Sequence, residues 1–251
     1  MYRLLTQLFL VLALLIGQLL PAQGLRPYNP YDPSNATNAV LLGLGGALTT
    51  TSVMLDRRVV PLTEDDVGVL EINKIPGIDM FSTRNLSLRA DEATDKLLLA
   101  SFASPFFLLL DRPARQNFDA LALVVFEGAM INSGLINLTK VLVRRPRPYN
   151  YNADAPLDTK LSKTSRYSFY SGHSATTAYF SITTAKLYND LYPNSKATPY
   201  VWLGAALLPA AVSYGRMRAG RHFFTDVLVG TAVGTIIAIV VPSLHKAGAE
   251  N

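Results

Sequence analysis

Three short clusters hold the residues of this chain best suited to bind and transform an anion. In the first, Lys140 and Arg147 are separated by six residues, and Pro148 follows. The second runs Ser168-Phe169-Tyr170-Ser171-Gly172-His173, and in the third five residues separate Arg216 from His222 and three separate His222 from Asp226. Lys140, Arg147 and Arg216 supply three cations. An arginine fork matches the oxygens of a phosphate, and a lysine adds a compact point charge. Ser171 and Gly172 precede a helix expected to begin near His173, and backbone N–H groups at a helix start bind anions. A glycine there lets the backbone come close to the ligand. Together these features describe a pocket for a tetrahedral oxyanion.

Only three histidines occur, and two of them lie in these clusters. His222 and Asp226 are four apart, so on a helix they share a face. A carboxylate that accepts from one ring nitrogen leaves the other as a lone pair directed at the pocket, which is how a nucleophile is oriented. His173 then suits the general acid that protonates the leaving oxygen. His245, near the C-terminus, is expected to be structural. Arg144, Arg145, Arg218 and Arg221 read as solvated or headgroup-facing residues. Tyr149, Tyr151, Tyr167 and Tyr170 read as packing or as the lip of the site. Glu127, inside an apolar stretch, needs a cationic partner that the sequence does not name.

The three clusters resemble the signature of the type 2 phosphatidic acid phosphatase superfamily, which is shared with vanadium haloperoxidases. That pattern runs Lys-x6-Arg-Pro, Pro-Ser-Gly-His and Ser-Arg-x5-His-x3-Asp. Two positions depart from it: Tyr170 stands where the family has Pro, and Gly215 where it has Ser. The resemblance implies that His222 attacks phosphorus to give a phosphohistidine, that Asp226 orients it, and that His173 is the acid. It also implies that Lys140, Arg147, Ser171, Gly172 and Arg216 hold the phosphate oxygens, with no metal and no cofactor. A soluble periplasmic acid phosphatase and a vanadium-dependent haloperoxidase are the alternatives it leaves open.

The elements that must bring these clusters together are helical. Six apolar stretches, near 39–55, 97–110, 118–138, 174–188, 200–214 and 226–244, alternate with polar segments, and no strand-like alternation is sustained. The expected fold is an all-α bundle of about six core helices with the active site at one end. Arg3, an apolar run and PAQG at 21–24 read as a signal peptide cut after Gly24, with an uncut anchor as the rival. Residues 25–96 are expected to be an N-terminal linker with peripheral helices, and 97–245 the phosphatase-like domain.

Charged residues make up 16% of the chain and hydrophobic ones 49%, a balance that favours membrane or deeply packed helices. The net charge of +5 favours anionic partners, while the absence of a long basic run argues against nucleic acid. Cysteine is absent, which excludes thiol nucleophiles and zinc–thiolate sites. The expected partners are a phosphorylated lipid or small-molecule substrate and the membrane, with no obligate protein partner. The expected location is the cell envelope, at an inner membrane with a periplasmic site or in the periplasm against it. On that placement a cut leader would leave 39–55 as a stretch that does not cross, and 97–110 reads as too short to cross.

Overall fold

The computed structural model describes residues 29–246. The expected leader at 1–24 lies outside them. Six long helices dominate: α1 Asn35–Asp56, α2 Leu88–Ala103, α3 Phe118–Val143, α4 Gly172–Leu191, α5 Thr198–Arg218 and α6 Phe224–Leu244. Each contains or adjoins one of the six apolar stretches. Among the described residues the only β pairing is an isolated bridge between Tyr31 and Lys246. The fold is all-α, as expected.

Helix α4 is the centre, with α2, α3, α5 and α6 packed around it. Its sequence is rich in Ser and Thr, yet Ser174, Thr177, Ser181 and Thr183 are all buried. A buried polar group without a partner is costly; Ser174 Oγ finds one in Ser171 Oγ and Ser181 in carbonyls, while Thr177 and Thr183 Oγ1 have none among the described residues. Ser181 Oγ donates to Thr177 O and Ala205 O, both at 2.8 Å.

Contacts along the helices fix their directions. Gly45 of α1 lies against Met130 and Ile131 of α3, and Leu48 and Thr49 lie against Gly134, so these two helices run parallel. Ser174 meets Ser213 of α5 while Ser181 meets Ala205, so α4 and α5 are antiparallel. Gly230 and Gly234 of α6 lie against Ser171 and Ala175, which makes α6 parallel to α4. One end of the bundle therefore gathers the last turns of α1, α3 and α5 and the first turns of α2, α4 and α6. The segments 57–87, 144–171 and 219–223 join them there, and all three sequence clusters fall at that end.

The opposite end is tied by charge. Asp190 accepts from Tyr31 Oη at 2.6 Å and pairs with Lys186 and Lys246. His245 Nε2 lies 2.6 Å from Glu127 Oε2, with both side chains fully buried. This names the partner that Glu127 requires, and it gives His245 the structural place expected of it.

Among the described residues, four helical segments are long and apolar enough to cross a membrane: Asn35–Asp56, Leu88–Leu110, Phe118–Tyr151 and Phe224–Leu244. Two expectations are corrected here. The stretch 97–110 is not short, because α2 begins at Leu88 and continues through a 3₁₀ segment, Ser104–Leu110, to reach 23 residues. The stretch 39–55 lies in a helix of 22 residues with the same mean hydropathy, 1.4. Since α1 runs toward the site, residues 29–34 sit at the end of the bundle away from it.

Candidate active site

The end that gathers the three clusters is built on the first turn of α4. Ser171 is the N-cap, and its Oγ accepts from Ser174 N at 3.3 Å and from Ser174 Oγ at 3.0 Å. A serine at this position satisfies a helix-start donor that would otherwise be orphaned. Lys140, from the last turn of α3, reaches this turn: a Cβ on Gly172 would come within 3.0 Å of Lys140 Nζ. The glycine thus leaves room for an ammonium beside the backbone N–H groups.

Arg147 follows α3 in a loop fastened by Arg147 N→Ser165 O at 2.8 Å. Its guanidinium is buried, and Nε has no partner among the described residues. Arg216, also buried, comes from the last turn of α5. Its Nη1 donates to Asp91 at 2.6 Å and to Thr94 Oγ1 at 3.2 Å, while its Nε is unpartnered among the described residues. Buried donors without acceptors cost free energy. In a site that takes an oxyanion, they would find their acceptors in it.

His222 is 1% exposed, in the loop that leads into α6. Its Nδ1 lies 2.7 Å from Ser168 O and 3.8 Å from Asp226 Oδ2. A carbonyl can only accept, so Nδ1 carries the proton and Nε2 is left with its lone pair. The direct orienter of His222 is therefore a backbone carbonyl. Asp226 works behind it: Oδ2 accepts from Ser168 Oγ at 2.5 Å and from Phe223 N at 2.9 Å, and Oδ1 from Arg145 Nη1 at 2.6 Å. The carboxylate clamps the two segments that carry His222 and its carbonyl partner. Burial first, then the charges of Arg147, Arg216 and Lys140 and the neighbouring His173, push the His222 pKa well below its ordinary value. That shift favours the neutral imidazole.

His173, one residue into α4, bonds through Nε2 to Asp95 Oδ1 at 2.8 Å. Burial first, then Arg216, Lys140 and Arg147, lower its pKa strongly. The structure thus brings Lys140, Arg147, Ser171, Gly172, His173, Arg216, His222 and Asp226 together at one end of the bundle.

Several residues at this site escape the sequence reading. Asp91 and Asp95 lie on the polar first turns of α2, within the residues 25–96 expected to hold only a linker and peripheral helices. Asp91 takes Arg216 on one oxygen and Arg221 on the other, both at 2.6 Å. Arg145 bridges Asp226 and buried Asp79, and Asp79 also accepts from Thr225 N and Oγ1. Arg145 and Arg221 are therefore framework of the site and not solvated residues, which corrects that expectation. Arg144 is exposed, and the Arg218 side chain reaches Asn85. Tyr149 and Tyr170 are buried packing, and Tyr167 bonds Asp56. The Gly215 departure has a local cause: a Cβ there would lie 2.3 Å from Thr94 Cγ2. The glycine lets α2 approach closely enough for Asp91 to reach Arg216.

Known proteins are similar to this chain. It is 28% identical over 142 residues to a lipid A 4'-phosphatase of Porphyromonas gingivalis, a match covering 56% of this chain and 57% of that protein. The chain thus spans less than two thirds of that relative's length. Among solved structures it is similar to a transmembrane PAP2-type phosphatidylglycerolphosphate phosphatase from Bacillus subtilis, at 22% identity and a TM-score of 0.41, covering 83% of this chain and 94% of that one. The model of the PAP2 superfamily matches residues 120–248, a span that contains all three clusters. With those clusters folded into one cationic pocket around two histidines, the chain belongs to the PAP2 superfamily.

Proposed function

We propose that this membrane protein is a phosphatase that removes phosphate, as a monoester or from a pyrophosphate, from a membrane lipid. The observation that carries the reading is His222. It is buried, neutral and hydrogen-bonded through Nδ1, so Nε2 is free beside Lys140, Arg147 and Arg216.

In the first step His222 Nε2 attacks phosphorus as the bond to the leaving oxygen breaks, and His173 gives that oxygen a proton. In the second, water attacks the phosphohistidine, His173 takes the water's proton, and the P–N bond breaks to release phosphate. Lys140, Arg147, Arg216 and the Gly172 N–H hold the three non-bridging oxygens, and Ser171 fixes the turn that presents that N–H. Catalysis is then mainly positioning and charge stabilisation. The cations are side chains, so the reading requires no metal ion. Residues 97–245 with the start of α2 form the catalytic unit, and the site faces the periplasm. On that placement residues 29–34 lie on the cytoplasmic side, which fits a retained N-terminal segment and not a leader cut at Gly24.

The test is phosphate release by the full chain in detergent micelles, from phosphatidic acid, phosphatidylglycerol phosphate, undecaprenyl pyrophosphate, a lipid A preparation and a soluble phosphomonoester, with and without EDTA. Release from a lipid that persists in EDTA and is blocked by vanadate is the expected result. Activity lost in EDTA and restored by Mg²⁺ refutes the mechanism. Turnover of the soluble ester alone refutes the lipid assignment.

A further inference from the structure

The catalytic histidines are held differently. His222 leans on a neutral carbonyl, and His173 on a carboxylate. We propose that Asp95 is a positioning residue for His173, holding it in the orientation and charge state from which it protonates the leaving oxygen. The proposal rests on the phosphatase reading above and deepens it.

The geometry supports a division of labour on α2. Asp91 and Asp95 are one turn apart and share a helix face. Asp91 is occupied by Arg216 and Arg221, each at 2.6 Å. Asp95 Oδ1 is 2.8 Å from His173 Nε2 and 3.7 Å from Arg216 Nη1. A carboxylate can only accept, so Nε2–H donates to it and Nδ1 is left to exchange a proton with the leaving oxygen. The fixed ring therefore presents one defined nitrogen.

The charges explain why an anion is needed there. His173 faces Lys140 from α3, Arg147 from the following loop and Arg216 from α5, with His222 across the pocket. These cations suit a phosphate, but they oppose an imidazolium. A general acid must carry its proton while the substrate is bound. Asp91, one turn earlier on α2, also opposes those cations at the ring, but among the described residues Asp95 is the only carboxylate in direct contact with His173. Its side chain is 53% exposed, so the bond is weak as a tie for the fold.

The experiment compares two soluble substrates, with the full-length wild type and Asp95→Asn and Asp95→Glu variants in detergent micelles. p-Nitrophenyl phosphate expels an anion that needs no proton, whereas an alkyl phosphate expels an alkoxide that does. Asn keeps an acceptor and removes the charge. Asp95→Asn is expected to slow the alkyl phosphate about 10- to 100-fold, part of the range for a general acid, and p-nitrophenyl phosphate less than about threefold. The alkaline limb of kcat for the alkyl ester should move to lower pH, and Asp95→Glu should restore part of the loss. An equal loss on both substrates, or no change in either rate or limb, overturns the proposal. A melting temperature and vanadate inhibition like the wild type's separate these outcomes from misfolding. If the wild type hydrolyses neither ester nor any lipid phosphate, the phosphatase reading itself falls and takes this one with it.

Discussion

Replacing Ser168 by Ala tests how His222 is oriented. The substitution leaves the backbone carbonyl that accepts from Nδ1, and removes the hydroxyl that ties this carbonyl's residue to Asp226 at 2.5 Å. Ser168 and Asp226 are both buried, and the bond is to a charged acceptor. Such a bond contributes about 1.5–3 kcal/mol. At about 1.4 kcal/mol per tenfold, and with the loss expressed mainly in ring orientation, kcat should fall roughly 10- to 100-fold. Asp226→Asn removes more. It also breaks the Arg145 pair, and it turns one oxygen facing a donor into an amide that donates. Losing one partner of a buried ion pair costs about 3–5 kcal/mol, or roughly 10²- to 10⁴-fold in rate if it acts on the site. The assay is kcat for phosphate release in micelles, with thermal unfolding followed through Trp202. Wild-type-like turnover in Ser168→Ala, with Asp226→Asn inactive, would show that Asp226 acts on His222 directly and that the clamp is irrelevant.

Further outcomes follow from the same geometry. His222→Ala should lower phosphate release by about 10⁴-fold or more while leaving the helical circular dichroism unchanged, and appreciable turnover in it excludes a phosphohistidine. Because burial and its cationic neighbours lower the His222 pKa, kcat/KM should not fall through protonation of this ring as pH drops through about 6.5, where a free imidazole would protonate; a loss of activity there that His222 titration accounts for contradicts the neutral-nucleophile assignment. The same shift has a sign for stability: the unfolded chain takes up this proton and the folded one does not, so the melting temperature should drop as pH falls below about 6.5. Since the chain has no cysteine, single cysteines at Ala153 and Asn194 report topology; an impermeant maleimide on intact spheroplasts should label 153 and spare 194, and the reverse places the site in the cytoplasm.

The legible parts were those written as residue type and spacing. Six helices followed from apolar stretches bounded by polar segments. The pocket followed from three clusters whose cations and histidines have few other uses at helix ends. Partner identity was not legible. Asp91 and Asp95 sit among alternating charges that look solvated until α2 is placed against α4 and α5. Arg145 and Arg221 looked like interchangeable surface cations, and only the fold distinguishes them from Arg144 and Arg218. The length of α2 was hidden for the same reason: its first turns are polar because they serve the site, so hydropathy alone started the helix too late. His222 shows the limit most clearly. The spacing to Asp226 predicted a shared face, and the residues do lie near each other, but the hydrogen bond goes to a carbonyl, which no sequence pattern encodes.

The bridge between Tyr31 and Lys246 has a topological consequence. Asp32 N donates to His245 O at 2.8 Å, so the two ends of the described fold lie side by side. A short peptide could close the chain into a ring there, and the exposed turn at 193–196 offers a place to reopen it. Both the seam and the cut would sit a full helix away from the reacting atoms, about 30 Å for the 20 residues of α4. A circularly permuted chain should therefore keep its chemistry while exchanging the order in which its helices leave the ribosome. Comparing it with the natural order would separate what the bundle owes to insertion sequence from what it owes to packing.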